Sequence, residues 1–486
     1  MPASESTYSS WVGVIYVFNL IVGTGALTLP SAFAKAGWLL STILLILLAI
    51  VSFITVTFII ECIACANATV QWRMIQSHKI DEESEAMIDS ASDRDDTDEH
   101  TAIIQSNRSR SRYYSLNEKM GLGYIASLYF NRWGIILFYI SLCIYLYGDL
   151  AIYAAAIGKS LADVMCTNNV TGESSLQLWN AMDEFEDLCW MNSNFKKIDV
   201  YRISVAVFSV LVGPFAYFNV QKTKYVQIFT TTMRWCAFII MVTLACIRID
   251  VKGQQGFPDM FEFNGLAALL GASVYSFMCH HSLPDLVAPF ADKQRVIRQL
   301  GFDYILICAF YLLLALTGTF AFKELYDLYT LNFVPGPDSS IFMKILMYYL
   351  SLFPVFTLST SFPIIALTLQ NNLKARFLDL NTLEHYNFVL RRLTFPTIAV
   401  IPPVLVALYT HNLHTLVKFT GAYAGACIQY FIPAFLVLFA RKQCQRDLGS
   451  SLNKYGSMFR SLFWIVLVIC WGIVCIILVT VNFFSN

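Results

Sequence analysis

Charged side chains are scarce in this sequence: Asp, Glu, Lys and Arg make up 14% of its 486 residues, against 57% hydrophobic. A water-soluble globule has no interior large enough to hide that much apolar surface, so much of it must face lipid. Net charge is also missing, because 33 basic residues balance 33 acidic ones. That excludes the strongly basic surface a nucleic-acid partner requires. No nucleophile–base–acid set and no cluster with metal-ligand spacing stands out, so no enzyme and no cofactor is expected. The first ten residues, MPASESTYSS, hold no Lys or Arg. With no basic n-region, the apolar run from Trp11 is expected to be a retained membrane helix and not a signal peptide.

Apolar runs long enough to cross a hydrocarbon core, about 20 residues each, lie at roughly 11–35, 38–62, 133–159, 200–220, 225–248, 264–290, 300–322, 342–369, 393–410, 415–440 and 461–482. The expected fold is therefore an all-α polytopic membrane protein of about eleven helices. Lys and Arg cluster in alternate loops, at 73–119, 222–224, 293–298, 374–392 and 441–460. The positive-inside bias places those loops and residues 1–10 in the cytosol, with the C-terminus on the far side. Helices one to ten, 11–440, form the core, and 441–486 adds a cytosolic loop and an eleventh helix.

The loop 160–199 then lies outside. It carries a glycosylation sequon at Asn169, and Cys166 and Cys189 share a compartment where a disulfide persists. Sequons at Asn67 and Asn107 fall on the cytosolic side and are expected to be silent. Of the 13 cysteines most others sit in apolar segments, where packing is the default role; this includes the Cys62/Cys65 pair. The segment 73–119 joins an acidic, serine-rich half to a basic NRSRSR block without apolar periodicity, so disorder is expected. Tyr113-Tyr114-Ser115-Leu116 and Glu99 with Ile103-Ile104 fit short sorting signals read by cytosolic adaptor proteins. They favour an endolysosomal membrane over the plasma membrane.

Two segments are broken. In the first, Gly23-Thr24-Gly25 lies mid-segment. In the sixth, Gly271, a polar stretch Ser276–Ser282 and Pro284 interrupt the apolar run. Unwound backbone at membrane depth is tolerated only where it is buried in protein or lines a cavity. Broken helices five segments apart are the pattern of inverted-repeat transporters, which hold their solute between them.

The run Asn19-Leu20-Ile21-Val22-Gly23-Thr24-Gly25 resembles the first-helix motif of the amino acid/auxin permease family, especially its sodium-coupled neutral amino acid transporters. Ser276-Phe277-Met278-Cys279-His280 resembles their sixth-helix motif. GTGALTLPSAFAKAGW, YLYGDLAIYAAA and HHSLPDLVAPFADK resemble the transmembrane protein 104 family, over nearly the whole chain. The resemblance implies a leucine-transporter-like 5+5 inverted repeat with one extra helix and an amino-acid substrate. It implies that Val22, Gly23, Thr24 and Gly25 meet the substrate carboxylate, while Ser276, Phe277 and Cys279 line the opposite wall.

For a coupling ion, the resemblance points to Asn19, Thr360 and Ser361 as sodium ligands. Ordinary hydroxyl back-bonding to the helix is the competing reading for Thr360 and Ser361. Asp149 is the sharpest intramembrane charge and points to a proton relay, or to a salt bridge with Arg234. His280 or His281 is a further proton carrier by chemistry. Sodium and proton therefore both stay open. Glu61 and Lys418 read as snorkelled boundary residues, and Gly421–Gly425 as a small-residue packing face. The rival to transport is an amino-acid sensor of the same fold, signalling through the cytosolic loop.

Overall fold

The computed structural model describes residues 9–89, 113–166, 188–190, 194–217, 224–333, 340–377, 393–449 and 453–485. Its elements are α1 (Ser10–Ile21), α2 (Thr24–Ala36), α3 (Trp38–Asp89), α4 (Leu122–Tyr129), α5 (Arg132–Met165), α6 (Lys197–Val212) and α7 (Lys224–Lys252). They continue as α8 (Leu266–Ser276), α9 (Leu283–Val287), α10 (Val296–Ala321), α11 (Ile341–Phe377) and α12 (Phe395–Tyr409). Then follow α13 (Leu413–Phe419), π-helical turns at Thr420–Gly425 and Cys427–Phe431, α14 (Ile432–Leu448) and α15 (Leu462–Ser485).

Among the described residues, 7 helices are long and apolar enough to cross a membrane, and 8 if the bent pair α1/α2 counts as one span. The other segments expected from the sequence correspond to α7, the α8/α9 pair and the 15-residue α12. The α7 segment is long but carries Arg234, Arg248 and three consecutive threonines, Thr230–Thr232, which lower its hydropathy. In the α8/α9 pair each half is too short to cross alone.

The long helix α5 lies at the centre and packs against α6, α11, α12 and α13, while α2 packs along α8. Gly421 allows the π-helical turn to touch α8, because a Cβ there would lie 2.1 Å from the carbonyl oxygen of Gly271. The small-residue face expected in this segment is thus a backbone-to-backbone contact. Tyr423 turns away from it, its hydroxyl 3.0 Å from Thr480 Oγ1 on α15.

Three expectations need correction. The helix α3 runs on to Asp89, so the first part of 73–119 is helical; its Met, Gln, Lys, Glu and Ala residues favour helix, and no Gly or Pro breaks it. Tyr114 and Leu116 are buried in the core, so the Tyr113–Leu116 run is packed away from any adaptor protein. Glu99, Ile103 and Ile104 lie outside the described residues, as do Asn107 and Asn169. Asn67 is buried too, its Nδ2 donating to the Ser115 carbonyl at 2.8 Å.

Glu61 does not snorkel. It is buried and accepts two hydrogen bonds at 2.8 Å from Arg441 Nε and Nη2, and a third at 2.9 Å from the Ser457 N–H. This fork pins α3 to α14 and to the turn before α15. Removing one partner of a buried pair leaves the other uncompensated, at a cost of about 3 kcal/mol or more. Glu61→Ala is therefore expected to lower the melting temperature of the purified protein in detergent. An unchanged melting curve would contradict this role. Lys418 donates to Asn482 Oδ1 at 3.0 Å, joining α13 to α15.

Candidate functional site

The first helix breaks after Ile21, and α1 and α2 meet at 51°. Val22 (φ −84°, ψ 86°) and Gly23 (φ −115°, ψ −142°) leave the helical region. In an unbroken helix the Gly23 N–H would bond to Asn19 O, and the Ala26 N–H to Val22 O. Here Gly23 N bonds to Ile21 O at 3.0 Å and Ala26 N to Gly23 O at 3.3 Å. The carbonyls of Asn19 and Val22 are thereby released, and at membrane depth each needs another donor.

The second break spans 277–282, between α8 and α9. One side chain serves both breaks: the Tyr311 hydroxyl, on α10, lies 3.3 Å from Ile21 O and 3.0 Å from Ser276 O. Tyr304, two turns earlier, donates to Phe277 O at 3.2 Å. Two tyrosines of α10 thus satisfy carbonyls that the interrupted helices leave open.

The two glycines of the first break do different things. A Cβ on Gly23 would meet only the Tyr153 hydroxyl, at 3.6 Å. A Cβ on Gly25 would lie 2.7 Å from Ser276 Cα, so this glycine is needed where α2 crosses α8. Thr24 is buried, with its Oγ1 2.7 Å from the Tyr275 hydroxyl. Tyr275 in turn donates a short hydrogen bond to Asp149 Oδ1 on α5. A hydrogen-bonded line therefore runs from a buried carboxyl, through a phenol, to the first residue after the break.

On the opposite wall, Ser276 Oγ donates to Ala272 O at 2.6 Å. Phe277 stacks on Tyr304 with ring centroids 6.0 Å apart, and Cys279 Sγ lies 3.4 Å from the Tyr304 hydroxyl. Ser276 thus abuts Gly25, and Phe277 and Cys279 face α10. The residue of this stretch that reaches Thr24 and Asp149 is Tyr275, which sequence reasoning missed. A phenol buried mid-segment needs a polar partner, and that was the available signal.

The proposed ion ligands lie near one another. Thr360 and Ser361 donate to Thr357 O at 2.8 and 3.1 Å, the back-bonded arrangement of hydroxyls in a helix. Asn19 Nδ2 lies 3.4 Å from Thr230 Oγ1 on α7. Arg234, on the same helix, donates from Nη1 to both released carbonyls, Asn19 O and Val22 O, and its Nη2 is 3.5 Å from Ser361 Oγ. Among the ion pairs of the described residues none joins Asp149 to Arg234. His280 is buried with its Nε2 2.8 Å from Thr55 Oγ1 on α3. The His281 ring lies 5.4 Å from that of Tyr145.

A second polar cluster sits on the face that bears the Cys166–Cys189 disulfide. Asp327, in the loop after α10, accepts from His414 Nε2 at 2.8 Å and lies 3.9 Å from Lys159 Nζ. Ser31 Oγ is 3.0 Å from His414 Nε2 and donates to Leu325 O at 3.1 Å. The cluster ties α2, α5, α13 and the loop together. Burial alone would raise the Asp327 pKa, but the hydrogen bond and charge of His414, with the charges of Lys159 and Lys35, outweigh it and hold the carboxyl well below its usual range. A depressed carboxyl stabilises the fold above its unfolded value, near 4, and loses that contribution only as pH falls through the depressed value. Asp327 therefore stays charged, and the contact intact on its account, through neutral and mildly acidic pH.

With the breaks and the buried polar line described, comparison with known proteins defines the class. A family model for "Transmembrane amino acid transporter protein" matches residues 6–73 and 99–484, and the chain belongs to that family. Within it the chain falls among the transmembrane protein 104 sequences. It is 46% identical over 99% of its length to "Transmembrane protein 104 homolog" of Drosophila melanogaster, covering 98% of that relative. Against human "Transmembrane protein 104" it is 45% identical over 98% of its length and 96% of the relative. Even the Dictyostelium discoideum homolog is 32% identical, over 99% of this chain and 98% of the relative. Among solved structures, that titled "Crystal structure of MhsT in complex with L-phenylalanine" superposes with a TM-score of 0.58 at 12% identity, covering 99% of this chain and 100% of that one. The fold is thus the leucine-transporter-like arrangement with broken helices one and six.

Proposed function

We propose that this protein is a secondary active transporter that moves amino acids or closely similar solutes by alternating access, coupled to a cation gradient. The observation that carries the reading is the line Thr24–Tyr275–Asp149. It connects a buried carboxyl to the N-terminus of α2, where unpaired N–H groups and the helix dipole favour a substrate carboxylate. Val22, Gly23, Thr24 and Gly25 supply the backbone side of that site, and the open space at Gly23 supports it. A proton exchanged at Asp149 is the coupling event this geometry favours, since the phenol can pass a change at the carboxyl directly to Thr24.

Reconstituted protein should concentrate a labelled amino acid from a mixture into proteoliposomes when an inward proton gradient is imposed. Specific binding with no concentration under any gradient would replace the transporter by a sensor of the same fold.

A further inference from the structure

Sodium coupling would require a cage of oxygen ligands beside the first break, and the oxygens available there are the released carbonyls of Asn19 and Val22 with the hydroxyl of Ser361. The residues present do not leave that cage to a mobile ion. We propose that Arg234 is the resident cation of this position, so that the protein binds no sodium there and its first broken helix is held by a fixed charge.

The geometry follows from the break itself. Shifting the Gly23 and Ala26 N–H groups to new acceptors frees Asn19 O and Val22 O, one helical turn apart. Two carbonyl dipoles pointing at one place in an apolar interior call for a cation or a fork of donors. A guanidinium is both, and stays charged in proteins. Arg234 meets both carbonyls through Nη1, while Nη2 approaches Ser361 Oγ at 3.5 Å. The hydroxyl of Ser361 donates to its own helix at Thr357 O, which leaves its lone pairs for the guanidinium.

The side chain is buried, at 3% exposure, and its helix is fixed against α1 on both sides of the contact. Trp235 stacks on Phe18 with centroids 4.7 Å apart, and Thr230 meets the Asn19 amide. A sodium ion competing for the same oxygens would sit against a permanent positive charge, and like charges that close repel strongly where water is excluded. Arg234 therefore does what a bound ion would do for the break, without leaving during the cycle.

This inference shares the broken helix with the transport reading but is tested without a substrate. Binding of radiolabelled sodium to the purified full chain should be measured by a proximity assay, with choline as the replacement cation. The wild type should show no saturable sodium binding and the same melting temperature in either salt. Arg234→Lys, which keeps a cation in place, should behave the same way. Arg234→Ala should acquire saturable sodium binding, weakened about tenfold when Ser361→Ala is added, as for the loss of one charge-assisted contact. Saturable binding by the wild type that falls in Ser361→Ala would overturn the proposal. So would a monodisperse Arg234→Ala protein that binds no sodium. Should Arg234→Ala fail to fold, the wild type and Arg234→Lys still decide the question. A protein that transports nothing leaves these binding results readable.

Discussion

Gly25→Ala is expected to yield little folded protein, whereas Gly23→Leu should fold and fail to hold substrate. At position 25 the added methyl would lie 2.7 Å from a backbone carbon of Ser276, and backbone in a helix crossing cannot step aside as a flexible side chain can. Overpacking of this kind costs about 1–3 kcal/mol at an ordinary core site. Here it also separates α2 from α8, the two halves that build the site. At position 23 the nearest atom is the Tyr153 hydroxyl at 3.6 Å, and the backbone angles are open to other residues (φ −115°). A leucine fits the fold there but fills the space beside the N-terminus of α2. The check is paired: monodisperse yield by size exclusion, then binding of labelled amino acids from a mixture. Equal yields of the two variants, or normal binding by Gly23→Leu, would show that the glycines do not divide the work in this way.

The second large effect concerns Asp149. Its carboxyl is buried and accepts from the Tyr275 phenol, which also touches Thr24. Asp149→Asn keeps the shape and the hydrogen bond but removes the exchangeable proton. Uptake by the variant should fall at least about tenfold, the scale of one lost charge-assisted hydrogen bond, and the residual activity should be the same at about pH 5.5 and about pH 7.5, on either side of the neutral-histidine range. Tyr275→Phe should keep the pH dependence while lowering uptake, because the carboxyl still exchanges its proton but no longer reaches Thr24. If Asp149→Asn retains the wild-type pH profile, the proton is carried elsewhere, and His280, hydrogen-bonded to Thr55, becomes the next residue to test.

The helical character of the chain, the places of its segments and both breaks were legible in the sequence, because glycine, proline and apolar run length act locally. Gly23 and the polar stretch from Ser276 each mark a real interruption of a helix. What could not be read was which side chain meets which break. Arg234 lies 212 positions from Val22 in sequence, and nothing in its own segment says that it points toward the first helix and away from Asp149. Tyr275 and Phe277 are equally plausible wall residues by composition. Only the rotation of α8 places the former on the Asp149 side and the latter against Tyr304. Glu61 read as a boundary charge because its partner, Arg441, is 380 positions away.

The shared tyrosine of α10 has a mechanical implication. Since the Tyr311 hydroxyl stands within reach of Ile21 O and Ser276 O together, tilting either half-helix away from α10 strands a carbonyl in an apolar interior, at about 1–3 kcal/mol. Tilting both at once lets the hydroxyl and its two acceptors find new partners in a single rearrangement. The two interruptions, far apart in the chain, therefore act as one joint with a single axle, and half-turned states of it are disfavoured.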